Sequence, residues 1–383
     1  MDIDAPPRVA GLFAGIGGIE LGLSAAGFDS VLLCEVWDAA QAVLADRFPD
    51  VPLVGDVREI DRLPDAELVA AGFPCQDLSQ AGRTAGIGGG NSGLVSEVFR
   101  LVDGNMPEWL LLENVPFMLR LDRGAAMSYL TGELSRRGFT WAYRVVDSRS
   151  FGLPQRRKRV VLVASREHDP RPVLFADDAG EQPGADESEV GCGFYWTEGI
   201  RGLGWGVDCL PTLKGGSTIG IPSPPAIRLP DGGGIVLPDL RDAERLQGFE
   251  ADWTLAASAG RRRGARWKLV GNAVSVPMAA WVGGRLCDPG PYDGAEAGEV
   301  HGPWPDAAWG RDGRAFATEM THFPVASERP SLLDFLEFPT TPLSERATSG
   351  FLDRAARGSL RFPEGFLDDV AAHLDRVRDR VAA

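Results

Sequence analysis

Val9-Ala10-Gly11-Leu12-Phe13-Ala14-Gly15-Ile16-Gly17-Gly18-Ile19 is the stretch whose reading decides the fold. The run Val9–Phe13 is short and apolar, as a buried strand is; the glycines then make a tight turn, and a helix follows from Ile19 to about Ala26, ended by Gly27. Such a turn lets backbone approach a ligand closely, and the helix start offers free N–H groups. Alone it would serve many nucleotides. The same rhythm continues along the chain. Val31–Cys34, Leu68–Ala71, Trp109–Leu112 and Val160–Ala164 read as buried strands, Asp38–Arg47 as a helix stopped before Pro49, and Met127–Arg137 as a helix closed by Gly138. Short apolar runs alternating with helices specify an α/β fold with a parallel, Rossmann-like sheet. Glu35 ends the second strand, where a carboxylate can accept from ribose hydroxyls. Asp56, in Val54-Gly55-Asp56-Val57, can cap a third strand and accept from an adenine amine, and each of the two acids reads equally as a helix cap or a solvated loop residue.

The 383 residues suffice for roughly two domains. With 44% apolar and 24% charged residues the composition is that of a folded protein. The uncharged run Val9–Ile19 is about half of a membrane span, and Asp2 and Asp4 stand where a signal peptide carries positive charge, so a cytoplasmic location is expected. The scattered cysteines (34, 75, 192, 209, 287) fit reduced thiols, and the histidines (168, 301, 322, 373) form no metal-binding pattern, so no metal is expected. A net charge of −15 argues against a polyanion partner, but its distribution does not. Trp253–Leu286 holds Arg261, Arg262, Arg263, Arg266, Lys268 and Arg285 with no acid, and Arg156-Arg157-Lys158-Arg159 makes a second basic cluster. Basic clusters inside an acidic chain imply a localised phosphate-binding surface. The acidic stretch 167–191 reads as a linker or mobile loop. Residues 191–238 read as a small, irregular β-rich region with a hairpin, Ile227–Leu229 and Ile235–Leu237, about Pro230-Asp231-Gly232. Phe366, Leu367, Val370, Ala371, Leu374, Val377 and Val381 follow helical spacing.

Ala71-Gly72-Phe73-Pro74-Cys75-Gln76-Asp77-Leu78-Ser79 carries the chemistry. A strand ends at Gly72, and Pro74-Cys75 places a thiol in a glycine-rich loop running to Gly93. A further strand ends in Glu113-Asn114-Val115. A thiol and a carboxyl at adjacent strand ends would meet at the carboxyl edge, where open α/β sheets bind ligands.

With Phe13–Gly18, Pro74-Cys75-Gln76, Glu113-Asn114-Val115, Gln155-Arg156-Arg157-Lys158-Arg159, Arg245-Leu246-Gln247-Gly248-Phe249 and Gly271-Asn272-Ala273-Val274 in this order, the chain resembles the DNA (cytosine-5)-methyltransferases over about residues 8–287. Two positions depart from the family pattern, Asn91 and Pro238, where an arginine is usual.

The resemblance implies a class I S-adenosylmethionine-dependent methyltransferase domain, residues 1–166 and 271–287. It also implies an inserted target-recognition domain, 167–270, which leaves 288–383 as a partly helical extension of unassigned role. The methyl donor would be S-adenosylmethionine, held by Phe13, Ala14, Gly15, Ile16, Gly17, Glu35, Val36, Asp56, Val57, Gly72, Pro74, Leu94, Asn272, Ala273 and Val274. Catalysis would fall to Cys75 as nucleophile on cytosine carbon 6, Glu113 at ring N3, and Arg159, with Arg157 behind it, at ring O2. The base must leave the duplex to be reached. Gln76, Ser79, Lys214, Arg261, Arg262 and Arg263 would contact duplex DNA, by a monomer. The rival readings are a tRNA cytosine-5 methyltransferase, an amino-group methyltransferase, and a DNA-binding protein that has lost catalysis. Pro74-Cys75 disfavours the second, and intact Cys75, Glu113 and Arg159 the third.

Overall fold

Strands without polar alternation must be covered on both faces. In the computed structural model, which describes residues 5–74, 93–200, 202–215, 223–259, 264–294 and 298–382, they are. Strands β1 (Arg8–Leu12), β2 (Asp29–Cys34), β3 (Leu53–Val54), β4 (Leu68–Ala71), β5 (Trp109–Asn114), β6 (Thr140–Asp147) and β8 (Lys158–Ser165) join β14 (Ala307–Arg311) and β15 (Arg314–Ala317) in one sheet. Its order is β15-β14-β6-β8-β5-β4-β1-β2-β3. The five strands β3, β2, β1, β4 and β5 are parallel, β8 enters antiparallel between β5 and β6, and β14 and β15 continue antiparallel beyond β6. Strand order reverses at β1, whose neighbours are β2 and β4, so their carboxyl ends form the switch point of the sheet.

Helices α1 (Gly18–Ala25), α2 (Asp38–Arg47), α3 (Leu94–Gly104) and α4 (Ala125–Arg136) make the crossovers. The helix α8 (Val276–Cys287) lies on α1, and glycine permits the contact. A Cβ on Gly22 would sit 2.5 Å from the Val276 carbonyl oxygen, and one on Gly283 would sit 2.7 Å from Ala26 Cβ. This crossing ties residues 273–287 to the sheet of the first 165 residues. Ser148 and Ser275 hydroxyls add a buried hydrogen bond of 2.8 Å.

The chain divides into two compact units: 1–150, 158–181 and 273–326, and 151–157, 182–272 and 327–383. These boundaries differ from the expected ones. Residues 288–383 do not stand apart, because β14 pairs with β6 in the first unit whereas the later helices belong to the second. Nor is 167–181 a linker. It forms the short helix α5 (Arg171–Phe175), and Asp177 and Asp178 are engaged: Arg285 Nε donates to Asp177 at 2.7 Å and Arg144 to Asp178 at 2.7 Å.

The second unit contains β7 (Gln155–Arg156) paired parallel with β11 (Leu210–Pro211). Its main sheet orders β10 (Gly206–Val207), β9 (Cys192–Phe194), β12 (Ala226–Leu229), β13 (Gly234–Leu237) and β16 (Thr341–Pro342). The hairpin β12–β13 turns through Asp231 and Gly232, both at positive φ, as its sequence indicates. Helices α6 (Leu240–Arg245) and α7 (Gly264–Asn272) follow, then α9 (Leu332–Phe335), α10 (Glu345–Arg357) and α11 (Phe366–Ala382). Phe194 of β9 packs with Phe351, Phe366 and Val370, so Phe366 and Val370 of the C-terminal stripe join this unit's core, while Leu367 and Ala371 of the same stripe are exposed. Among the described residues no helix is long and apolar enough to cross a membrane, and no group of three or more His, Cys, Asp or Glu converges on a metal position.

Candidate active site

The site is built at the carboxyl edge of β1, β2, β4 and β5. After β1 the backbone turns left-handed at Phe13 (φ 56°), Gly15 (φ 59°) and Gly17 (φ 82°). Ala14 N–H donates to the Cys34 carbonyl at 3.0 Å, which ties the turn to the end of β2. Gly17 has no alternative, since a Cβ there would lie 2.4 Å from the Phe48 ring. A Cβ on Gly15, by contrast, would meet nothing within 4 Å, so backbone lies bare on the open side of the turn. Ala14 and Ile16 point into the core, which leaves their backbone to face a ligand.

Glu35 holds the turn from the side. Its Oε2 accepts from Gly15 N–H and its Oε1 from Trp37 N–H, each at 2.8 Å. Burial raises its carboxyl pKa above the ordinary value, against the pull of those N–H groups. Beside it Val36 is 67% exposed, an apolar surface fit for a flat ring. Asp56 caps a single helical turn by accepting from Arg58 N–H at 3.0 Å, and the Arg58 side chain grips the same carboxylate, which lowers its pKa to about 2. Asp56 is therefore already engaged, although Arg58 itself is exposed. Val57 is buried in the core and Leu94, at the start of α3, packs on it, so each can offer a ligand little beyond backbone or a flank.

β4 runs into Gly72, whose N–H donates to the Leu12 carbonyl at 3.3 Å. The next strand end is pinned to it: Asn114 Nδ2 donates to the Phe73 carbonyl at 3.0 Å while Asn114 Oδ1 accepts from Val115 N–H. Around Gly72 a Cβ would be 3.7 Å from Glu113 Oε2 and 3.9 Å from Val274, so those two side chains and the glycine line one spot. Glu113 forms an ion pair with Arg159, Oε1 to Nε 2.8 Å, with side chains only 10% and 9% exposed. Strand pairing makes the meeting possible, because β8 enters antiparallel beside β5 and brings Arg159 in from the opposite direction. Pro74 is exposed at the head of the following loop. Cys75, Gln76 and Ser79 of that loop lie outside the described residues, as do Arg261, Arg262 and Arg263.

The structure separates the two arginines that the motif sets two positions apart. Arg157 belongs to the second unit, where it is fully buried and donates to the carbonyls of Leu213 (3.1 Å) and Gly271 (3.2 Å). Asn272 also falls in that unit, while Ala273 and Val274 fall in the first. Lys214 is half-exposed but not idle: it pairs with Glu198 and sits 3.6 Å over the Tyr195 ring. Sequence reasoning passed over three residues of consequence. Asn114 ties the ends of β4 and β5 together. Gln155 joins its unit together by donating to the Leu246 carbonyl at 2.7 Å and accepting from Leu213 N–H at 3.0 Å. Glu20, on α1, is 1% exposed, with its carboxylate in the space left by the missing side chain of Gly11. A lone acid inside the otherwise apolar and glycine run Ile16–Leu23 is the signal that could have found it.

A Rossmann-like sheet with an antiparallel strand next to its last parallel one, a glycine turn braced by an acid at the end of β2, and an ion-paired carboxylate at the end of β5 define a class I S-adenosylmethionine-dependent methyltransferase. Residues 8–185 match the family model described as C-5 cytosine-specific DNA methylase. The chain is 47% identical to the Type II methyltransferase M2.BsuMI of Bacillus subtilis (strain 168), over 97% of this chain and 98% of that one. It is 29% identical to the Type II methyltransferase M.SsoII of Shigella sonnei, over 71% and 77% respectively. Among solved structures, that of the S. pombe Dnmt2 methyltransferase superposes with a TM-score of 0.54 at 16% identity, covering 74% of this chain and 99% of that one, which speaks to fold alone. The chain belongs to the C-5 cytosine-specific DNA methylase family. It transfers a methyl group from S-adenosylmethionine to carbon 5 of cytosine in DNA.

Proposed function

We propose that the chain acts on duplex DNA with Cys75 as the nucleophile, Glu113 and Arg159 as the groups that polarise the flipped base, and the carboxyl edge of the first unit as the cofactor site. The observation that carries this reading is the buried Glu113–Arg159 pair abutting Gly72, three residues ahead of Cys75. S-adenosylmethionine supplies an electrophilic methyl group on a sulfonium. The bare backbone at Gly15, the Glu35 carboxylate and exposed Val36 suit its methionine, ribose and adenine parts. Phe13, Gly17, Gly72, Pro74, Ala273 and Val274 would complete the pocket, with Asp56 recruited once Arg58 releases it.

Carbon 5 of cytosine is a poor nucleophile while its electrons belong to the ring. Addition of the Cys75 thiolate to carbon 6 breaks that conjugation and leaves an enamine able to attack. Glu113, held in place by Arg159, hydrogen-bonds ring N3, and Arg159 faces ring O2, so both offset the charge that develops there. Loss of the carbon-5 proton and expulsion of Cys75 then restore the ring. Arg157, braced between two carbonyls, would act by positioning rather than by touching the base. The second unit would read the recognition sequence, with Gln76, Ser79, Lys214, Arg261, Arg262 and Arg263 contacting DNA. Lys214 would first leave Glu198.

The likeness to Type II methyltransferases supports a role as the modification partner of a restriction system, performed by a monomer in a bacterial cytoplasm. Incubation with S-adenosylmethionine and duplex DNA containing 5-fluorocytosine tests the mechanism: a denaturant-stable protein–DNA complex is expected. Cys75→Ser should abolish it while leaving cofactor affinity unchanged. Trapping by Cys75→Ser, or its loss of cofactor binding, would overturn the division of labour.

A further inference from the structure

Beyond β5 the chain runs from the carboxyl edge of the first unit for ten residues, 115–124, before α4 begins. Phe117 is 62% exposed, and Arg120 and Arg123 both face solvent. On the flanking helices Arg100, Arg136 and Arg137 are each neutralised by a carboxylate, whereas among the described residues Arg120 and Arg123 make no ion pair. The backbone here is unusual. Asp122 (φ 49°) and Arg123 (φ 59°) are successive left-handed residues, followed by Gly124 (φ 90°). Two such residues in a row persist only where surrounding structure holds them.

What holds them comes from beyond the span of the family motifs. The Trp304 indole N–H donates to the Gly124 carbonyl at 3.2 Å and reaches Ser128 Oγ at 3.3 Å. Its ring lies so close that a Cβ on Gly124 would be 3.0 Å from Trp304 Cδ1. The indole is seated edge-on against Trp141 (6.0 Å) and Tyr143 (6.2 Å) of β6. Flanking backbone is fixed to the same strand, since Tyr143 Oη donates to the Pro305 carbonyl and Val145 N–H to the Asp306 carbonyl, each at 2.7 Å.

We propose that Arg120 and Arg123 grip phosphates of the duplex beside the target cytosine, and that Trp304 is the positioning residue that fixes the left-handed turn presenting them. This rests on the duplex meeting the carboxyl edge of the first unit, as proposed above. The segment leaves the sheet one residue after the carboxylate that meets the base, with one exposed aromatic and two cations outside any ion pair, a set that suits sugar and phosphate. Each phosphate contact contributes a slope of about 0.9 to the fall of log affinity with log salt, so removing both removes roughly 1.8. Across a fourfold rise in salt, the double substitution R120A/R123A should therefore lose about twelvefold less affinity than the unaltered protein. R120K/R123K, which keeps the charges, should retain the steep profile. W304F, which keeps an aromatic side chain but deletes the N–H and the five-membered ring that lies on Gly124, should flatten the profile toward that of R120A/R123A while cofactor affinity, measured by calorimetry, stays as it was.

A steep profile unchanged by R120A/R123A would overturn the phosphate assignment. A W304F profile matching the unaltered protein would overturn the bracing role. A flat profile in the unaltered protein would instead defeat the reading of where DNA lies.

Discussion

Glu113 and Arg159 should be far more costly to remove singly than together. Their charged atoms are 2.8 Å apart and both side chains are about nine-tenths buried. At that separation, with an effective dielectric constant near 20, the gross attraction is about 6 kcal/mol. Most of it is offset by the dehydration of both ions, so the intact pair adds little net stability. Either charge left alone inside the protein costs about 3–5 kcal/mol. Glu113→Ala and Arg159→Ala should each lower the unfolding free energy by that amount, and the double variant by no more than one of them, which implies a coupling energy of about 3 kcal/mol. Urea unfolding of the four proteins at pH 7 reads this directly from midpoints at constant slope. Additive losses, within about 0.5 kcal/mol, would mean that the two groups are solvated separately, and the argument for a preorganised pair would fail. Activity should behave differently: all three variants should lose methyl transfer by a factor of roughly 10² or more, since regained stability restores neither group.

Three further outcomes are expected. Burial, reinforced by nearby Glu35 and partly countered by a backbone N–H, pushes the Glu20 carboxyl up to about 7. An acid raised in the folded state contributes full stability below its ordinary pKa of 4.5 and loses it as pH climbs through 7, a fall of about 3 kcal/mol that Glu20→Gln should erase. Urea midpoints of both proteins at pH 4.5 and pH 8 decide it, and parallel profiles would refute the assignment. Gly22→Ala puts a methyl 2.5 Å from the Val276 carbonyl and 2.6 Å from Ala279 Cβ, so α1 and α8 must separate at a cost of about 1–3 kcal/mol. A lower melting temperature is expected, with weaker cofactor binding because Val274 drifts from Gly72; an unchanged melting temperature would count against the close crossing. Glu35→Ala leaves the N–H groups of Gly15 and Trp37 without their acceptor, and cofactor affinity should fall by about 1–3 kcal/mol in calorimetry. Wild-type affinity would remove Glu35 from the site.

Strands β1, β2, β4, β5 and β8 and the turn of the first unit were legible because each depends on local chemistry. Apolar runs must be buried, and Gly15 and Gly17 mark a left-handed turn wherever they fold. The C-terminal stripe from Phe366 was readable for the same reason. Strand β6 was not, because Arg144 interrupts its apolar pattern. Its guanidinium is fully buried and satisfied by the carbonyls of Leu174 and Thr321 and by Asp178, partners 30 to 177 residues away. Likewise the order of residues in Gln155–Arg159 could place Arg157 and Arg159 two positions apart, but not show that Arg159 would meet Glu113 and Arg157 would meet Leu213 and Gly271.

The amino-acid order by itself determined the kinds of group available, a thiol after Pro74, a carboxyl in Glu113-Asn114-Val115 and glycines that free the backbone, since these are properties of residues and their immediate neighbours. Only the tertiary structure decided which of them touch. It set Arg159 on Glu113 by an antiparallel strand, laid Gly22 against Val276, and brought Trp304 onto Gly124 across 180 positions. Contacts between distant segments follow from packing a whole core at once, and no window of sequence contains that information.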